Sequence, residues 1–184
     1  MSLSSHEAAA SLSEAEKARQ RSARLYVYRK SSPHLVMWGI IWIFGYCGTA
    51  LSPSHSNWIW GVLMLAGMLG GVVIHRRTRC AADTNERHAW RWFALIAIAL
   101  FFVMATYTLM WPVHGRQMAA YPVLLTGSIY TAVGLWTGVR YIVTGVVVVA
   151  LALVGYFYIE PILLWMAFVG GGSMILAGLW FRTV

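Results

Sequence analysis

The chain has 184 residues, of which 59% are apolar and 11% charged, with a formal net charge of +8. Soluble domains carry roughly 25% charged residues, so this composition excludes an ordinary water-soluble globule and points to lipid as the main solvent. Ten Trp and nine Tyr suit the aromatic belts that settle at headgroup depth.

The first thirty residues lack the uninterrupted apolar core of a signal peptide. Residues 13–30 read instead as an amphipathic cytoplasmic helix, with Ser13 and Glu16 at capping-box spacing. Lys17, Arg19, Arg21, Arg24, Arg29 and Lys30 follow, interleaved with Leu25, Tyr26, Val27 and Tyr28. Such a segment can lie on anionic headgroups at about 1 kcal/mol per basic residue, or it can be a solvated arm that serves only to orient the chain.

Apolar runs recur at 35–51, 57–75, 90–110, 119–138, 140–158 and 161–181. Each approaches the ~20 residues that a helix needs to cross ~30 Å of hydrocarbon, and none has an ionised side chain near its middle. Pro33, Pro122 and Pro161 fall near the starts of their runs, where a missing N–H costs little. The expected fold is therefore an all-α integral membrane protein. It has a basic N-terminal segment over 1–33 and a six-helix transmembrane bundle over 34–184, arranged as three helical hairpins (35–75, 90–138 and 140–181).

Thirteen of the 14 Lys and Arg residues fall on one water-facing level and only Arg116 on the other. This bias places both termini in the cytoplasm and the protein in a cytoplasmic (inner) membrane. Hairpins two and three look related: Gly127-Ser128 through Leu135-Trp136 parallels Gly172-Ser173 through Leu179-Trp180 with one position skipped. Eleven of the 17 glycines lie in the second, fourth and sixth runs. Gly67 with Gly71, and Gly134 with Gly138, form GxxxG pairs of the kind that let helices approach in lipid. The even helices are expected inside, and the third, which lacks glycine, against lipid.

Chemistry is sparse. Intramembrane ionisable residues ordinarily mark proton and ion paths; their absence disfavours a pump or proton-coupled antiporter. No HExxH, GxSxG or P-loop pattern occurs, so no catalytic residue is assigned and an enzymatic role is disfavoured. Cys47 and Cys80 have no metal-site spacing. His34, His75 and His88 sit at span ends among arginines rather than within the bilayer, a poor setting for haem; no cofactor or metal is assigned. Asp83 and Glu86 read as a helix start before the third run.

The remaining candidates gather at the outer level. His55, His114 and Glu160 lie in the three outer turns, with Tyr46, Tyr107, Trp111, Ser128 and Tyr156 just beneath. Together they could line a small-molecule pocket. Taken singly, a turn histidine is ordinarily solvated, interfacial Tyr and Trp anchor depth, and Glu160 can serve a helix start. The leading expectation is a non-enzymatic transport-type module taking a small neutral or zwitterionic solute from outside. The alternative is an accessory or sensory membrane protein that docks a cytoplasmic protein or anionic lipid through Arg21, Arg24, Arg29, Lys30, Arg76 and Arg77. Membrane lipids are the expected surroundings; a homo-oligomer is open, and nucleic acid is not an expected partner.

Overall fold

The computed structural model describes residues 5–78, 101–110 and 115–183, without the side chains of residues 5–10, Gln20, Arg24 and Thr78. The described residues are helical with no strand. Their elements are α1 (Ser5–Leu51), a 3₁₀ turn (Pro53–His55), α2 (Ser56–Thr78), a helical stretch α3 over 101–109, α4 (Gly115–Thr137), α5 (Val139–Tyr158), α6 (Ile162–Met166), a π-helical turn (Ala167–Gly172) and α7 (Ser173–Arg182). Five helical segments are long and apolar enough to cross a bilayer: Ser11–Leu51, Pro53–Arg77, Gly115–Thr137, Val139–Tyr158 and Ile162–Arg182. About half of the 90–110 run lies outside the described residues; its described end is helical.

α1 is one helix of 47 residues, about 70 Å long at 1.5 Å per residue. The Ala-, Glu-, Lys- and Arg-rich stretch before Leu25 favours helix intrinsically, and the chain passes through Pro33 into the first apolar run without a break. Segment 13–30 is therefore helical but continuous with the first span. Ser13 and Glu16 lie inside a helix already under way and do not start it.

The sixth span lies at the centre. Met166, Val169 and Phe181 are fully buried or nearly so, and this span packs principally along α1. Gly39 and Gly171 form the crossing: a Cβ built on either would lie 2.6 Å from the other's carbonyl oxygen. Only glycine permits that approach, and in lipid such backbone contact replaces the missing hydrophobic drive. The π turn falls at this crossing, where three consecutive glycines have no side chains to oppose the wider winding. The Ser173 hydroxyl donates to the carbonyls of Val169 and Gly170 at the end of that turn.

α5 pairs chiefly with α4 rather than with the sixth span. Gly145 faces Gly127 and Thr131, with a built Cβ 2.5 Å from the Gly127 carbonyl oxygen. The principal pairings thus join α1 with α2, α4 with α5, and the sixth span with α1. Among the described residues α2 is peripheral, contrary to the expectation of an inner ring of even helices. Trp58, Val62, Leu65, Met68, Leu69, Val72 and Val73 are all half exposed or more. A contiguous apolar face of this extent is incompatible with water and suits acyl chains.

The glycine pairs divide. Gly67 packs against Trp38 and Ile41 and Gly134 against Ile142, but Gly71 meets nothing within 4 Å. Gly138 turns the chain between α4 and α5 at φ 136°, a left-handed region that favours glycine.

Candidate functional site

Most of the chemistry-bearing residues gather at the two ends of the bundle. At the end carrying the 3₁₀ turn, Tyr46 is buried at 3% exposure, because α1 presents it between α2 and α4. Its hydroxyl donates to the Ala119 carbonyl at 2.8 Å, and its ring meets Trp60 edge-on at 5.2 Å. The Trp60 indole N–H donates to Thr49 Oγ1 at 3.1 Å. Tyr107 donates to the Met118 carbonyl at 3.0 Å and lies 5.5 Å from the Tyr121 ring. Two aromatic groups, Tyr46 with Trp60 and Tyr107 with Tyr121, are therefore brought side by side at α4, since Tyr46 and Tyr107 bond to the adjacent carbonyls of Ala119 and Met118, and the Tyr121 hydroxyl donates to Thr106 Oγ1 at 3.3 Å.

The other expected ligand residues are dispersed. Tyr156 stands at the C-terminal end of α5, where its carbonyl accepts from Arg116. Arg116 also pairs with Glu160 and reaches the Ile159 carbonyl. Glu160 thus answers a guanidinium, and the helix start at Ile162 has no side-chain cap. His55 is exposed and exchanges hydrogen bonds with Ser52 at 2.9 Å and Ser54 at 3.1 Å. Ser128 is exposed on α4, away from the Tyr46 cluster. Trp111 and His114 lie outside the described residues, as do Cys80, Asp83, Glu86 and His88. Among the described residues, no group of His, Cys, Asp or Glu could hold a metal ion.

The opposite end is basic. Arg21, Arg29, Arg76 and Arg77 are exposed. The Arg24 side chain is outside the description, and Lys30 stands 5.5 Å above the Tyr26 ring. Arg140, at the start of α5, donates to the Trp180 carbonyl near the end of α7. Its guanidinium also lies over the rings of Tyr28 (5.8 Å) and Trp180 (4.8 Å). Below it, Tyr28, Tyr141 and Phe181 stack into a buried aromatic knot joining α1, α5 and α7. Ser32, fully buried, donates to the Gly178 carbonyl at 2.6 Å and accepts from Arg182 Nε at 2.8 Å.

Arg140, Arg182 and Ser32 are the fixed polar groups of this end, and sequence inspection assigned none of them a site role. Ser32 and Arg182 are separated by 150 positions, so no local spacing announces them. The available signal was the position of both arginines at helix ends, where a cation suits free carbonyls. Glu160, the one acid in the chain beyond Glu86, stands at the other end of the bundle. No carboxylate among the described residues neutralises Arg140 or Arg182.

Compared with protein-family models, with curated proteins and with solved structures, the chain matches none of them.

Proposed function

We propose that this is a small non-enzymatic accessory protein of a cytoplasmic membrane, with both termini and the basic end in the cytoplasm. Six spans cross the bilayer, the 90–110 run among them, and the basic end engages anionic phospholipid. One observation carries this reading. Arg140 and Arg182 are held in place by main-chain and hydroxyl oxygens, and no described carboxylate neutralises them. Arg21, Arg29, Arg76 and Arg77 add exposed cations on α1 and α2, and cations at headgroup depth attract anionic lipid.

Flotation of the purified full-length protein with vesicles of phosphatidylcholine, with and without phosphatidylglycerol, tests it. Lipid co-purifying from native membranes should be enriched in anionic species. Replacing Arg21, Arg24, Arg29 and Lys30 with Gln should reduce that enrichment while thermal stability is retained. Unchanged enrichment, with topology verified, would overturn this reading.

A second reading, a module binding a neutral solute from the outer side, draws on the convergence of Tyr46, Trp60, Tyr107 and Tyr121. Mass spectrometry of gently purified protein separates the two. A stoichiometric small molecule lost on Tyr107→Ala would favour the solute, and its absence the lipid.

A further inference from the structure

A cleft of about 420 Å³ opens between α1 and α2, walled by Val36, Met37, Ile40, Ala66 and Gly70, with Arg182 at its basic end. We propose that this cleft is a binding site for one anionic phospholipid, with an acyl chain along the apolar wall and the phosphate on Arg182. The proposal rests on the membrane reading above and narrows its charged surface to one defined site.

The cleft follows from how the two helices meet. They cross tightly at Gly45 and Gly48, which face Trp60 and Ile59, and again where Gly67 faces Trp38 and Ile41. Nearer the basic end, Met37 closes on Gly70, where a built Cβ would lie 2.7 Å from its sulfur, and the small, exposed Ala66 one turn earlier leaves the wall open beside them. From Pro33 to Ile41 the wall runs about 12 Å along α1 at 1.5 Å per residue. It continues onto the exposed apolar face of α2, so an acyl chain can enter sideways from the bilayer.

Arg182 supplies the selectivity. Its Nε–H is taken by the buried Ser32 hydroxyl, which fixes the plane of the guanidinium and, among the described residues, leaves the N–H groups of its two Nη atoms. That planar fork matches the oxygens of a phosphate. Lys30 and His75 lie within electrostatic reach of His34, the residue that follows Pro33 at the mouth. Arg76 and Arg77 end α2 at the same level and are exposed. A cation beside a membrane-depth apolar channel is a description of an anionic amphiphile; a free phosphate or an acidic peptide has no use for the channel.

The test uses the full-length protein in detergent with equimolar phosphatidylglycerol and phosphatidylcholine, read by native mass spectrometry. One phosphatidylglycerol should stay bound after the surrounding lipid is stripped. Arg182→Gln should lower its preference over phosphatidylcholine about tenfold, the loss of a charge-assisted contact, and Arg182→Lys should lower it less. Ala66→Phe, which fills the open wall without entering the packed core, should reduce retention of both lipids. Lys17→Gln, a charge-matched change far along α1, should alter neither.

Equal effects of Lys17→Gln and Arg182→Gln, or unchanged retention in Ala66→Phe, would overturn the site. If Arg182→Gln fails to fold, Ala66→Phe decides alone. Should the quadruple α1 variant keep its general anionic enrichment while one lipid remains sensitive to Ala66→Phe, the wider docking reading falls and the cleft stands.

Discussion

Gly39 and Gly171 touch main chain to main chain: a methyl group on either would lie 2.6 Å from the carbonyl oxygen of the other. The crossing they form sets the distance between α1 and the central span. Because the π turn is centred there, the same contact also sets the rotation of α7 and the place where Arg182 emerges.

Enlarging either glycine should therefore open the bundle. Gly39→Val or Gly171→Val is expected to destabilise by about 1–3 kcal/mol, the usual range for overpacking. The check is thermal or denaturant unfolding in detergent. Gly61→Ala and Gly71→Ala, where nothing lies within 4 Å, should be neutral or slightly stabilising, since alanine is the better helix former.

Ser32→Ala removes a donor to Gly178 and an acceptor for Arg182 at once. Interhelical hydrogen bonds in membranes are worth about 0.6–2 kcal/mol, and the loss should fall in that range. Combined with Arg182→Gln, the double variant should cost less than the sum of the two single changes, because both remove the same bond. Simple additivity would mean that the two side chains act independently.

Arg116 and Glu160 should behave unequally although they pair. The Glu160 side chain is 71% exposed, and such surface pairs are worth about 0–1 kcal/mol and are weakened by salt. Arg116 additionally serves the Tyr156 and Ile159 carbonyls at the end of α5, a favourable place for a cation. Glu160→Gln is expected to change the unfolding midpoint little, and Arg116→Gln to lower it distinctly more.

Orientation is open to a direct measurement. With Cys47 and Cys80 replaced by Ser, single cysteines at positions 55 and 79 should react with a membrane-impermeant thiol reagent from opposite sides of an intact membrane, position 55 from outside. Labelling from the same side would remove the cytoplasmic assignment of the basic end.

The helical stretches were legible in advance to within a few residues at several ends: apolar runs at 140–158 and 161–181 correspond to α5 at Val139–Tyr158 and a final span at Ile162–Arg182. The continuation of α1 through Pro33 was less legible, because a proline near a change of composition reads as a boundary. The glycine count identified close packing as the binding device but placed α2 inside. Gly67 packs, whereas Gly61 and Gly71 face open space, and a glycine in an apolar helix looks the same in sequence either way. Of the outer candidates, Tyr46 and Tyr107 bond to adjacent carbonyls of α4, while Ser128 points elsewhere and Glu160 pairs with Arg116.

Hydropathy and charge along the chain determined that these segments are helices of bilayer length and that cations crowd one end. Both are properties of short stretches: a backbone in hydrocarbon must satisfy its own hydrogen bonds locally. Only the tertiary structure decided that the sixth span is central, that Ser32 meets Gly178 and Arg182, and that a cleft opens beside Ala66 and Gly70. Uniformly apolar helices have no polar face to reveal which side is buried. Their pairing depends on the shape of each surface where it crosses another, and that becomes defined when the helices are together.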